Sequence, residues 1–196
     1  GLVSANARTR KIALIALDQM AGSSLNSQDV VPLLSSDEPL LSDAAWWLAE
    51  RHPEWAADLK GWFQNSLLNN PVEVSSRLAR FAHDSNIQAV MAVTLAKVDS
   101  TEEAKLEVLK AVAESNVRSL STGLGGCLKT TLEDKSPALV EQAVKTLNAL
   151  ADAKLGNEYR KGLLRVSSDE SRAEPLRMEA LATAGRIASK AKSDKV

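Results

Sequence analysis

Apolar residues along this chain recur at three- and four-residue intervals, and no stretch keeps the period-two alternation of a half-buried strand. Ile12, Leu14, Ile15 and Leu17 mark a first helix over 6–20. A loop-like stretch over 21–29 carries Gly22, Ser23, Ser24 and Asn26, and a short helix with Val30, Val31, Leu33 and Leu34 follows. From there the pattern predicts helices in couples: 28–35 with 38–52, 54–68 with 71–83, 85–97 with 101–115, 117–132 with 137–152, and 156–167 with 173–189. The last seven residues, 190–196, show no apolar face and read as a frayed tail or linker after a single domain spanning 1–189.

Proline punctuates this pattern. Pro39, Pro53, Pro71, Pro137 and Pro175 each stand at the start of an apolar-periodic run, and Pro32 lies early in the short helix. The first helical turn tolerates proline because the missing amide would have no partner there and its fixed φ already suits a helix. Ser136 and Asn70 precede such prolines and read as N-caps. Ser100 with Glu103, and Ser85 with Gln88, fit the capping-box spacing. The turns inside the couples fall near Asp37, Asn70, Ser100, Asp134 and Asp169, separated by 33, 30, 34 and 35 residues. A couple of that size cannot bury its apolar faces alone, so a near-regular period implies stacking of neighbours. The expected fold is all-α: a right-handed α-solenoid of about five antiparallel helix pairs plus an N-terminal helix.

Two stretches, Arg8-Thr-Arg-Lys-Ile-Ala-Leu-Ile-Ala-Leu17 and Pro175-Leu-Arg-Met-Glu-Ala-Leu-Ala-Thr-Ala-Gly185, resemble the second helix of HEAT-like repeats. Each has a polar start, an early Arg, then spaced Ala and Leu that allow close helix approach. The Trp–Leu–Gly–Tyr pattern of tetratricopeptide repeats and the Thr-Pro-Leu-His of ankyrin repeats are absent. The period is shorter than the roughly 40–47 residues of HEAT and armadillo repeats, so the array reads as short or degenerate. The stretch Ser42-Asp-Ala-Ala-Trp-Trp-Leu-Ala-Glu-Arg-His-Pro-Glu-Trp55 is similar to HEAT-like regions of planctomycete and verrucomicrobial proteins. Those proteins join a sugar-dehydrogenase-like β-propeller to a c-type cytochrome. That likeness implies a periplasmic or exported parent, with this segment as a spacer between redox modules. No Cys-x-x-Cys-His stands in the sequence, so no haem residue carries over.

Composition narrows the chemistry. The 24 Lys and Arg against 25 Asp and Glu leave a net charge of −1, which disfavours nucleic-acid binding by bulk charge and a polybasic membrane anchor. No apolar run approaches the roughly 18 residues of a membrane span. The one cysteine, Cys127, excludes an intrachain disulfide or a multi-cysteine metal site. Opening on Gly1-Leu2 rather than Met, the chain reads as a fragment of a larger bacterial protein.

Four tryptophans, Trp46, Trp47, Trp55 and Trp62, fall within 17 residues. Helical geometry puts Leu41, Ala44, Ala45, Leu48 and His52 on one stripe, with Trp47 at its edge and Trp46 pointing away beside Asp43 and Glu50. Trp55, Leu59, Trp62, Phe63 and Ser66 share a face of the next helix. Most of these rings read as interhelix packing, but an outward Trp46 is the kind of residue enriched at partner interfaces. His52 and His83, one repeat apart at the ends of second helices, read as caps of helix carbonyls; zinc needs three or four ligands. Gly123-Leu-Gly-Gly-Cys127 lacks the Gly-Lys-Ser/Thr of a phosphate loop, and its small residues read as close packing or a kink. Arg77 and Arg80, with Arg8 and Arg10, mark a possible surface for an acidic partner.

The expected function is therefore a non-catalytic protein-interaction or spacer module, without cofactor or metal. It offers a concave helical surface to a partner protein or a neighbouring domain of the same chain. The candidate partner-binding residues are Trp46, Trp47, Trp55, Arg77 and Arg80. Two alternatives stand beside it: a structural segment of a dehydrogenase–cytochrome enzyme, and a DNA-binding HEAT-like protein with charge segregated onto one face.

Overall fold

A computed structural model describes residues 6–20, 25–72, 74–150 and 155–193. The described residues are helical with no strand, as the period predicts: α1 (Ala7–Gln19), α2 (Ser27–Val30), α3 (Pro39–Arg51), α4 (Ala56–Asn69), α5 (Val74–Phe81), α6 (Ser85–Ala96), α7 (Glu102–Glu114), α8 (Thr122–Thr131), α9 (Pro137–Ala149), α10 (Asn157–Ser168) and α11 (Glu174–Ser193). Single 3₁₀ turns at Val31–Leu33 and Pro53–Trp55 lead into α3 and α4. No helix is long and apolar enough to cross a membrane.

Side-chain caps start α1, α2, α6, α7, α8 and α9, in part at other residues than the sequence predicts. Ser136 accepts from the amide of Leu139, as expected behind Pro137. The cap of α6 is Asp84, one residue before Ser85, and the cap of α7 is Thr101, one after Ser100. A carboxylate accepts two amides at once, those of Asn86 and Ile87, which a serine in the next position does not match. Gln88 is consequently free for other work. The segment 117–121 is loop rather than helix, and α5 begins at Val74 rather than at Pro71. At the other end α11 runs to Ser193, beyond the end expected at 189, while 194–196 lie outside the described residues.

The chain divides into two compact units, Gly1–Trp62 and Phe63–Val196, the division falling within α4. In the first, α3 packs on α1, on α2 and on the 3₁₀ turn at Val31–Leu33. Leu14, Val30, Leu34, Leu41, Ala45 and Leu48 form its core. Each buried leucine removes enough apolar surface from water to contribute about 1.5–3 kcal/mol.

In the second unit the packing follows a rule: helices touch the helix two before them. α5, α7, α9 and α11 are in contact in series, and α6, α8 and α10 form another series. Consecutive helices α6 and α7, α8 and α9, and α10 and α11 also pack on each other. Hydrogen bonds follow the same steps. Thr146 Oγ1 donates to the carbonyl of Leu109 at 2.9 Å, joining α9 to α7 across 37 residues. Cys127 Sγ donates to the carbonyl of Ala92 at 3.4 Å across 35, α8 to α6. Arg186 Nη1 donates to Asn148 Oδ1 at 2.5 Å across 38, α11 to α9, and Arg165 pairs with Glu133 across 32. Small residues permit the approach: a Cβ on Gly123 would touch Ala92 at 3.7 Å, and one on Gly125 would collide with the Tyr159 hydroxyl.

Candidate interaction surface

Pro53 shapes the centre of the first unit. A proline bars the preceding residue from the right-handed helical region, and His52 accordingly leaves α3 with φ −116° and ψ 71°. Its imidazole does not cap helix carbonyls as the sequence reading expects. It lies between two carboxylates: Nε2 is 2.7 Å from Asp18 Oδ1, at the end of α1, and Nδ1 is 2.6 Å from Glu54 Oε1. The ring stacks on Trp55, centroids 4.1 Å apart and planes 11° from parallel. Asp18 also faces Arg51, whose Nε is 3.4 Å from Oδ2, and accepts from Gln19 at 3.1 Å.

Protonation follows from this geometry. A neutral imidazole donates from one nitrogen only, so meeting two carboxylates with two N–H groups requires the imidazolium. Partial burial works against charge on His52, but the hydrogen bonds to Asp18 and Glu54 outweigh it and hold the pKa above the ordinary histidine value. The His52 hydrogen bond in turn holds Asp18 below the usual carboxylate range, against its own burial, with the side chain only 3 % exposed. The same bond lowers Glu54. With both ring nitrogens engaged, His52 presents no lone pair for proton abstraction. The arrangement is an ionic clasp between the end of α1 and the α3–α4 turn.

The tryptophans sort differently from the sequence reading. Trp46, expected to point away from the core, is buried, its ring edge-on to Trp62 with centroids 4.5 Å apart. Trp47, expected at the packed edge, is 43 % exposed. The reason is the width of the buried arc on α3. Neighbours on more than one side bury Ala49 and Trp46 as well as Leu41, Ala44, Ala45 and Leu48, about 200° of the helix rather than one stripe. Trp55 is buried under His52, and Trp62 donates from Nε1 to Ser35 Oγ at 2.7 Å.

What remains outward on α3 is a line of three residues that helical geometry places within about 40° of one another: Leu40, Trp47 and Arg51. Leu40 is 46 % exposed, and the Arg51 guanidinium lies 4.7 Å from the centre of the Trp47 ring. Sequence reasoning missed Arg51, although an Arg four residues after a Trp is a legible helical pair. It also missed Asp18, which stands one repeat before His52. Arg77 is half-buried and Arg80 exposed on α5, in the second unit, and both already have partners within the chain.

Among the described residues no group of three or more His, Cys, Asp or Glu is placed to hold a metal ion. Burial raises the pKa of the Cys127 thiol, the reverse of what a reactive cysteine requires. Comparison with protein-family models finds no match, and comparison with curated proteins finds none either.

Proposed function

We propose that the chain is a non-catalytic interaction module, and that residues 63–193 form a right-handed HEAT-like α-solenoid of stacked helix pairs. Support for the solenoid comes from helices that contact the second-next helix and from hydrogen bonds one repeat long. A closed bundle of distant segments has no reason to show steps confined to 32–38 residues.

The partner-facing element in this reading is the outward line of α3, Leu40–Trp47–Arg51. The observation that carries it is Trp47, a large aromatic left 43 % exposed with a guanidinium held against its face. Trp and Arg together are the side chains that dominate binding energy at protein interfaces. Their stacking limits the freedom lost on binding. The partner is a protein or a neighbouring domain of the parent chain.

A photo-crosslinking residue at position 47 of the protein expressed in its native cells tests this, with position 98, a 91 % exposed valine, as control. The expected result is one discrete adduct from position 47, lost in Arg51→Ala and absent from position 98. No adduct at 47 beyond that at 98 removes the proposal.

A further inference from the structure

The His52 clasp and the outward line of α3 meet at one carboxylate. Asp18 accepts from His52 through Oδ1 at 2.7 Å, and its Oδ2 faces Arg51 Nε at 3.4 Å. The first contact is a full hydrogen bond, and the second lies beyond the usual range for one. Arg51 lies instead with its guanidinium 4.7 Å from the centre of the Trp47 ring, about one helical turn earlier. His52, Asp18, Arg51 and Trp47 thus form a continuous series from the α1–α3 junction to the surface. Exposure decides which of them can move. The Asp18 side chain is 3 % exposed and that of Arg51 51 %. The carboxylate is held, and the guanidinium is free to turn.

Loss of the His52 proton to solvent changes the charge balance around Asp18. The imidazolium gives the carboxylate a cation in direct contact, with Arg51 as a looser second. A neutral ring still donates one N–H, but the positive charge beside the buried carboxylate is gone. A buried charge without a counter-charge is costly, so the nearest mobile cation is drawn in. Arg51 is that cation, and its guanidinium keeps its charge throughout. Arg8, Arg10 and Lys11 stand seven or more residues before Asp18 on α1, at least roughly 10 Å away along its axis. Among the described residues, Asp18 and Glu54 are the charges that act on the His52 ring. Glu54 is 62 % exposed, so water replaces the imidazolium as its partner. Asp29 of α2 accepts from the Asn26 amide and Asp58 of α4 from the Ser27 hydroxyl, while Val31–Leu33 carries no charge. On α3 itself, helical geometry turns Asp43 and Glu50 to the side opposite His52.

We propose that the proton on His52 sets the state of the α3 surface. While it is present, Arg51 rests on the Trp47 ring and faces a partner; once it is lost, Arg51 turns onto Asp18 and leaves Trp47 bare. This regulation rests on Leu40–Trp47–Arg51 being the partner-facing line. A stacked Arg and Trp offer a partner a positive charge in fixed geometry, and bare Trp47 offers neither. Partner binding is therefore strongest with His52 protonated and weakens as pH rises through its folded pKa. The hydrogen bonds from Asp18 and Glu54 place that change on the alkaline side of the ordinary histidine value.

NMR of the 196-residue chain tests the switch without a partner. Arg51 side-chain protons stacked on Trp47 carry an upfield ring-current shift, identified by its loss in Trp47→Leu. Between pH 5.5 and 9 that shift should collapse with the same midpoint as the His52 ring protons. In His52→Gln it should stay at its high-pH value throughout, and in Asp18→Asn it should persist without titrating. An Arg51 shift that is constant while His52 titrates, or that moves with a different midpoint, overturns the proposal, and neither result depends on a variant folding. A photo-crosslinker at position 40, which keeps Trp47, reads the consequence in permeabilised native cells. Adduct yield at pH 6 should exceed that one unit above the His52 midpoint at least threefold, and His52→Gln should abolish the difference. Equal yields at the two pH values overturn the regulation while leaving the interaction surface standing. No adduct at either pH from position 40 or 47 is the separate failure of the interaction reading, and it removes the regulation with it.

Discussion

Residues 6–62 and residues 63–193 are built from similar amphipathic helices, yet different polar chemistry ties them together. In the first unit the distant ties are mainly ionic or charge-assisted: Asp18 to His52 and Arg51, and the Ser27 hydroxyl donating to Asp58 at 2.5 Å, beside the neutral Trp62–Ser35 bond. In the second they are mostly neutral: a threonine and a thiol donate to backbone carbonyls of the preceding helix in the row, and the Gln88 amide donates to the carbonyl of Ser119 in the loop between α7 and α8. The Lys145–Glu141 and Arg165–Glu133 ion pairs are exposed, where such pairs contribute about 0–1 kcal/mol. Neutral donors on carbonyls do not titrate near neutrality. A histidine between two carboxylates does. The first unit is therefore the pH-sensitive part of the chain, and the second is the regular part.

The largest effects should not distinguish the two. Leu48 in α3 and Leu128 in α8 are both fully buried, and alanine at either should cost about 2–5 kcal/mol. Hydrogen exchange of the surrounding peptides checks this, and the loss should be the same at pH 6 and pH 9. Asp18→Asn separates the units. It should destabilise α1 and α3 by about 1–3 kcal/mol at pH 6, where it deprives the imidazolium of a charged acceptor, and by less at high pH. A loss equal at both pH values assigns Asp18 a packing role instead. Smallest is Thr146→Val in α9, expected to cost about 1 kcal/mol through the lost bond to Leu109 and to show no pH dependence. Guanidinium-induced unfolding followed at both pH values measures it.

Helix existence was legible because it depends on a 3.6-residue period and on proline, both local. The two shifted caps were not. Asp84 outcompetes Ser85, and Thr101 outcompetes Ser100, by geometry that the spacing of hydroxyls and carboxamides does not reveal. Trp46 and Trp47 exchanged their expected roles because one helix wheel shows where apolar residues lie, not how many neighbours surround the helix. The Asp18–His52 pair spans 34 residues, the same step as the hydrogen bonds of the second unit, so the repeat period held the information. What the sequence alone lacked was a reason to prefer a carboxylate one repeat away over the carbonyls of the histidine's own helix. Pro53 supplies that reason only once its effect on the backbone of His52 is seen.

The ring nitrogens of His52, followed by ¹⁵N NMR across pH and assigned by their loss in His52→Gln, test the ionic clasp most directly. The folded pKa is raised above the reference 6.5, so the clasp contributes fully below that value and is lost as pH rises through the folded pKa. The account predicts two protonated nitrogens at pH 6 and a titration midpoint above 6.5, with exchange in α1 and α3 accelerating as pH rises through that midpoint beyond its intrinsic rate. A midpoint at or below 6.5, or α1 and α3 equally protected on both sides of the midpoint, contradicts it.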